Sequence, residues 1–234
     1  MKALVIGYGS IGKRHCRILN EMSLDVGVLS RRGIDYKNSF KEFDDAMSFY
    51  PEYIVVCSPT NEHRGNLDRI SSAGFSGVVL IEKPVFEKVY NIKYPFDIYV
   101  GYNLRFHPVV QRLKQEIEGK KILSVHHYVG QHLSTWRPDT DYKKSYSSSK
   151  KRGGGVLRDL SHELDLINFL FGKNVSLSSL GGRVGDVTID SDDVYGFLLK
   201  QENCPVISLQ MNYFDRVPRR ELIVNTEKIQ SRLI

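Results

Sequence analysis

The stretch Lys2-Ala3-Leu4-Val5-Ile6-Gly7-Tyr8-Gly9-Ser10-Ile11-Gly12-Lys13-Arg14-His15 decides how the chain is read. The apolar run after Lys2 is a short buried strand, a G-x-G-x-x-G pattern follows at once, and a helix is predicted over residues 12–21. Alone, such a glycine pattern says little; a strand before it and a helix after it give it meaning. In that setting Gly7 permits the tight turn, Gly9 lets the backbone approach a pyrophosphate and Gly12 allows close helix packing. The helix N-terminus offers unpaired N–H groups to an anion, with Tyr8, Ser10 and Ile11 completing the loop. The competing reading is a glycine turn that holds no ligand.

Outward from this motif, short β-branched runs alternate with segments that can be helical. Val26 to Leu29, Tyr53 to Cys57, Val78 to Ile81 and Ile98 to Val100 read as strands, and residues 40–50 as a helix. Such alternation implies a parallel sheet covered on both faces. After Pro108 the texture changes. Residues 109–118 suit a helix and 122–129 a longer strand, while Ile207, Leu209, Met211 and Tyr213 alternate with polar residues as in an antiparallel strand with one buried face. Residues 194–200 pair naturally with it, and 221–226 offer a further strand. The expected fold is α/β: a doubly wound parallel sheet over residues 1–104, then an α+β domain with an open, mainly antiparallel sheet over 105–234. Residues 142–152, rich in Ser and Lys, read as a loop.

Composition narrows the function classes. The 234 residues carry 33 Lys plus Arg against 27 Asp plus Glu, a net charge of +6, with 41% hydrophobic residues. That excludes a long disordered chain, and the basic excess is too dispersed to suggest a nucleic-acid partner. No apolar run approaches the roughly 18 residues of a membrane span, and no export signal opens the chain, so a cytoplasmic protein is expected. Cys16, Cys57 and Cys204 share no C-x-x-C spacing and read as buried thiols. His126, His127 and His132 invite a metal reading, but neighbouring strand residues point to opposite faces, so no metal site is expected.

Four further stretches bear on chemistry. The second strand ends in Ser30-Arg31-Arg32 rather than in an acid, and a hydroxyl with two guanidinium groups suits a 2′-phosphate, favouring NADP with NAD as the alternative. Solvated arginines are the plainer reading. Ser58-Pro59-Thr60 with His63 ends the next strand, and Glu82-Lys83-Pro84 the one after, at the carboxyl edge where open α/β sheets bind ligands. Gly153-Gly154-Gly155 leads a helix in which Leu160, Leu164, Ile167 and Phe171 form one apolar stripe. At about 3.6 residues per turn Asp159 and His162 lie about 60° apart, with His162 nearly opposite the stripe, on a face that also carries Leu166 and Phe169. This reads as a helix buried on both sides with ionisable groups turned to a cleft. A satisfied core histidine is the alternative.

Taken together, the glycine motif running into His15, the Ser-Pro-Thr with His63, Glu82-Lys83-Pro84, Gly101-Tyr102-Asn103-Leu104-Arg105-Phe106 and the triple-glycine helix resemble the Gfo/Idh/MocA oxidoreductases over nearly the whole chain. The resemblance implies an N-terminal Rossmann domain, a C-terminal domain for substrate binding and oligomerisation, and oxidation or reduction of a sugar, sugar acid, nucleotide sugar or cyclitol. Lys83 and His162 match the family's catalytic pair. Lys83 would also touch cofactor, together with Glu82, Ser58, Pro59, Thr60 and His63. Tyr102, Asn103, Arg105, Trp136, Lys151 and Arg152 are the candidate substrate residues, and the partner is expected to be a second copy, as a homodimer or homotetramer through the C-terminal sheet. Trp136-Arg137-Pro138 with Asp159-Leu160-Ser161-His162 looks like members from nonulosonic or surface-polysaccharide pathways. Three departures stand out. Asp159 lies three residues before His162 rather than four, which leaves its role open. The segment from Pro84 to Gly101 is too short for the usual helix. The chain also ends where relatives continue, so a minimal or truncated form is expected. A dinucleotide-binding regulator without turnover, or an oligomeric scaffold, remains the reading from other classes.

Overall fold

The computed structural model describes residues 1–136 and 141–233, so Arg137 and Pro138 of the tryptophan motif lie outside the described residues. The chain forms two compact units, Met1–Gly101 and a second that begins at Tyr102.

In the first unit the elements run β1 (Lys2–Ile6), α1 (Ser10–Glu21), β2 (Asp25–Leu29), β3 (Ser39–Phe40), α2 (Phe43–Met47), β4 (Tyr53–Val56), α3 (Thr60–Ser72), β5 (Val78–Ile81) and β6 (Asp97–Val100). All pair in parallel in the order β3-β2-β1-β4-β5-β6. This is the Rossmann order, with its switch point between β1 and β4. Successive residues of β1 feed opposite faces: Leu4 and Ile6 join Ile54, Val56 and Leu67 in one core, while Ala3 and Val5 join Val28, Cys16 and Leu19 in the other. The helix expected over 40–50 is shorter, because Phe40 is drawn into the sheet beside Leu29 and its ring meets Phe49. Where the sequence left no room for a helix after Pro84, aromatic packing covers the sheet: Tyr94 stacks on Phe96, Phe75 meets Phe96 edge-on, and the Tyr94 hydroxyl donates to Asp68.

The second unit contains a 3-10 turn (Asn103–Phe106), α4 (Pro108–Ile117), β7 (Ile122–Gly130), α5 (Val156–Asp159), α6 (Ser161–Phe171), β8 (Asn174–Gly182), β9 (Val194–Gln201), β10 (Cys204–Asn212), β11 (Arg219–Thr226) and β12 (Gln230–Leu233). They form one sheet, β12-β11-β7-β10-β9-β8, antiparallel except for β7 beside β10. Ile207, Leu209, Met211 and Tyr213 are buried as their alternation requires, in a core shared with Leu113, Leu166, Ile167 and Phe171. The single helix expected to carry both Asp159 and His162 is instead two. The backbone leaves helical geometry at Leu160 (φ −96°, ψ 21°), so the separation of about 60° read along a continuous helix does not hold. All three cysteines are buried, and no helix of the described residues is long and apolar enough to cross a membrane.

Candidate active site

The glycine turn sits at the sheet's switch point. Gly7 has φ +100°, and a Cβ there would lie 2.8 Å from the Cys57 carbonyl; at Gly12 a Cβ would lie 2.0 Å from Gly7 O. Side chains are thus excluded from both positions by backbone. Gly9 differs, since a Cβ there would meet nothing within 4 Å. The space over Gly9 is open, at the N-cap of a 12-residue helix that has neither a side-chain cap nor an acid in its first turn. That geometry fits a phosphate-bearing group, which would complete the N–H groups of Ser10, Ile11 and Gly12. Beside it, Tyr8 packs edge-on against Tyr36, and Lys13 lies over its ring.

The neighbouring motifs are held by local bonds. Ser30 is buried and its hydroxyl donates to Arg32 O at 3.2 Å, closing the turn after β2. Arg31 is paired with Glu62 of α3 at 2.6 Å, and Arg32 is exposed. Pro59 caps α3, whose first residue, Thr60, is buried, and Ser58 Oγ accepts from Asn66. His63 is 1% exposed and both ring nitrogens face backbone carbonyls, Val85 O and Ser58 O, each at 2.9 Å. It braces the loop after Glu82-Lys83-Pro84 against the end of β4 rather than facing outward. Glu82 is fixed from two sides: Oε1 pairs with His15 Nε2 at 2.8 Å, and Oε2 accepts from the Lys83 backbone N–H. Lys83 is half-buried.

In the second unit the three glycines are explained by contact. Gly153 has φ +85° and Gly155 φ +118°, and a Cβ on Gly154 would lie 2.2 Å from Tyr146 O. A Cβ on Gly155 would strike Asp192, whose carboxylate accepts from Leu157 N at 2.9 Å and so caps α5. Asp159 is buried and accepts from the Tyr213 hydroxyl at 2.6 Å. Burial, and then the Asp159 carboxylate, hold that phenol well above its ordinary pKa. Trp136 packs edge-on against Tyr213. His162 opens α6 half-buried, with the Tyr102 ring edge-on at 5.6 Å between centroids.

Residues 110–229 match the family model described as the GFO/IDH/MocA C-terminal domain. The chain belongs to the Gfo/Idh/MocA oxidoreductase family. No curated protein sequence matches it. Among solved structures it is similar to the WlbA dehydrogenase from Bordetella pertussis, in complex with NADH and UDP-GlcNAcA, with a TM-score of 0.82 and 16% identity over 99% of this chain and 77% of that one. UDP-N-acetylglucosamine 3-dehydrogenase GnnA from Acidithiobacillus ferrooxidans gives 0.78 and 19% over 100% and 76%. Myo-inositol 2-dehydrogenase from Lactobacillus plantarum gives 0.78 and 18% over 100% and 76%. At these identities the likeness is one of fold.

Within this Gfo/Idh/MocA fold several candidate substrate residues have structural partners. Arg105 makes a two-point pair with Asp165. The Arg152 guanidinium donates to the carbonyls of Lys144 and Ser145, bracing the 142–152 loop, whereas Lys151 and Asn103 are exposed. Sequence reasoning missed a buried cluster next to His162. Glu163 is 0% exposed; His127 Nε2 donates to its Oε2 at 2.7 Å, and Arg220 donates to its Oε1 at 2.6 Å. Burial raises the Glu163 pKa, but the His127 hydrogen bond and charge and the Arg220 charge outweigh it and hold the group below the usual carboxylate range. The signal was present in β7, where His127 falls in phase with inward Val125 and Val129. Among the described residues no three His, Cys, Asp or Glu side chains converge as a metal site.

Proposed function

We propose that this protein is an NAD(P)-dependent oxidoreductase that moves a hydride between nicotinamide C4 and a secondary carbinol or ketone carbon of a sugar, sugar acid, nucleotide sugar or cyclitol. The observation that carries this reading is the open cradle over Gly9, at the uncapped N-terminus of α1 on a Rossmann sheet. Gly7 to Gly12 would hold the pyrophosphate, and Ser30, Arg31 and Arg32 the adenosine ribose with its 2′-phosphate, favouring NADP. A bound nicotinamide supplies the hydride acceptor for a carbinol, or the donor for a ketone. His162 would take the hydroxyl proton as the carbinol carbon is oxidised and return it in the reverse direction, as general base and then general acid. Lys83 orients the substrate oxygen and stabilises the developing alkoxide. Tyr102, Asn103, Trp136 and Lys151 shape the substrate site. Asp159, held by Tyr213, and His63 act by positioning. The protein would work in the cytoplasm as a homodimer or homotetramer, associating through the sheet face that carries exposed Leu198 and Val206.

The test is a screen of sugars, sugar acids, nucleotide sugars and cyclitols for NADPH absorbance change, followed by Lys83→Ala and His162→Asn. Each should lower kcat by about 10²–10⁴ and leave cofactor affinity nearly unchanged, since the phosphate contacts lie at the glycine turn. Near-wild-type turnover in both variants would refute the assignment. NADPH binding without turnover of any class screened would favour the regulator.

A further inference from the structure

The sequence marks Arg105 as a candidate substrate contact, and its guanidinium is also engaged within its own unit. Nε donates to Asp165 Oδ2 at 2.8 Å and Nη2 to Oδ1 at 2.5 Å, a fork on a carboxylate that is 9% exposed. Asp165 lies three residues after His162 on α6 and Phe169 seven after it, so the three share one helix face. The opposing segment has matching periodicity. Side chains three apart eclipse in a 3-10 turn, and Tyr102 and Arg105, three apart across the start of the Asn103–Phe106 turn, meet His162 and Asp165 in register. Further along the same face, Arg105 and Lys114 of α4 lie over the Phe169 ring, at 5.4 and 4.0 Å from its centroid. The turn is also tied to α4 by Gln111, whose side chain donates to Arg105 O.

From this we infer that Arg105 and Asp165 are a positioning pair for His162, locking the 3-10 turn to α6 so that the Tyr102 ring edge fixes the imidazole, and keeping the charge beside it balanced. The inference rests on the proposed role of His162. The other charged groups nearby on the chain have partners of their own: Asp159 with Tyr213, Glu163 with His127 and Arg220, and Arg158 with Gly154 O. Substitution within the pair therefore changes one charge at a time. Asp165→Asn leaves Arg105 uncompensated and lowers the His162 pKa, whereas Arg105→Gln leaves Asp165 uncompensated and raises it. Side chains three apart on a helix lie about 5–6 Å apart at Cβ, and a unit charge at about that range through a water-like medium shifts a titration by about half a pH unit.

The experiment follows the His162 ring by NMR in histidine-labelled protein, assigned by the signal lost in His162→Asn, with circular dichroism as the check on folding. The expected result is a downward shift in Asp165→Asn, an upward shift in Arg105→Gln, and a return towards wild type in the double variant. Arg105→Lys, which keeps the charge but loses the fork, should leave the titration in place while kcat on the screened substrate falls about tenfold at constant KM. Shifts of the same sign in both single variants, or no shift in either, would overturn the inference, as would full kcat in Arg105→Lys. Because the titration needs no substrate, it judges the pair even if His162→Asn retains turnover and the functional reading fails.

Discussion

Arg31 and Arg32 show how one contact alters what a motif means. Both guanidinium groups suit a 2′-phosphate on paper, yet Arg31 is already paired with Glu62 at 2.6 Å while Arg32 is exposed. NADPH selectivity should therefore depend first on Arg32. A charge-assisted contact contributes roughly 1.5–3 kcal/mol, so Arg32→Ala should weaken NADPH binding by about tenfold or more and leave NADH binding unchanged. Glu62→Gln releases Arg31 and removes a negative charge, and should strengthen NADPH binding. Fluorescence titration of both cofactors decides the matter; equal affinities for NADPH and NADH that neither variant alters would remove the basis for the preference. His63 and Arg152 carry the same lesson, since their polar atoms face backbone carbonyls within their own unit.

At the scale of elements, α6 is anchored by ionised groups on both sides. Asp165 faces the 3-10 turn through Arg105, and Glu163 faces the sheet through His127 of β7 and Arg220 of β11. Because the folded-state pKa of Glu163 lies below its unfolded value, its ionised form favours the native state. That stability is fully present above the unfolded value of about 4.3 and is lost as the pH falls through the folded value. Glu163→Gln leaves His127 and Arg220 without a carboxylate and should cost about 3 kcal/mol at pH 7. Urea unfolding of the two proteins should show the gap narrowing as the medium becomes acid. A gap independent of pH would mean that the carboxylate charge does not hold the helix. The break at Leu160 belongs to this scale too, for it separates Asp159, bonded to Tyr213 in the core, from the helix that presents His162.

Over the whole molecule, the second unit buries one sheet face under α4, α5 and α6 and leaves apolar side chains on its strands exposed, Leu198 at 58% and Val206 at 48%. Self-association through them should be abolished by Leu198→Glu with Val206→Glu, read as a fall to monomer mass by size-exclusion chromatography with light scattering. A wild-type protein that is already monomeric would exclude this interface. The sequence by itself determined the Rossmann unit and the one-sided sheet, because glycine turns, β-branched runs and the alternation from Ile207 to Tyr213 are short-range signals that a few adjacent residues carry. It also brought Lys83 and His162 to notice through their motifs. Only the tertiary structure decided which ionisable groups are already committed. Arg105 finds Asp165 across 60 residues, Tyr213 finds Asp159 across 54, and His127 finds Glu163 across 36. Such pairings have no sequence period, since they depend on which strand and helix come to lie side by side once the core is buried.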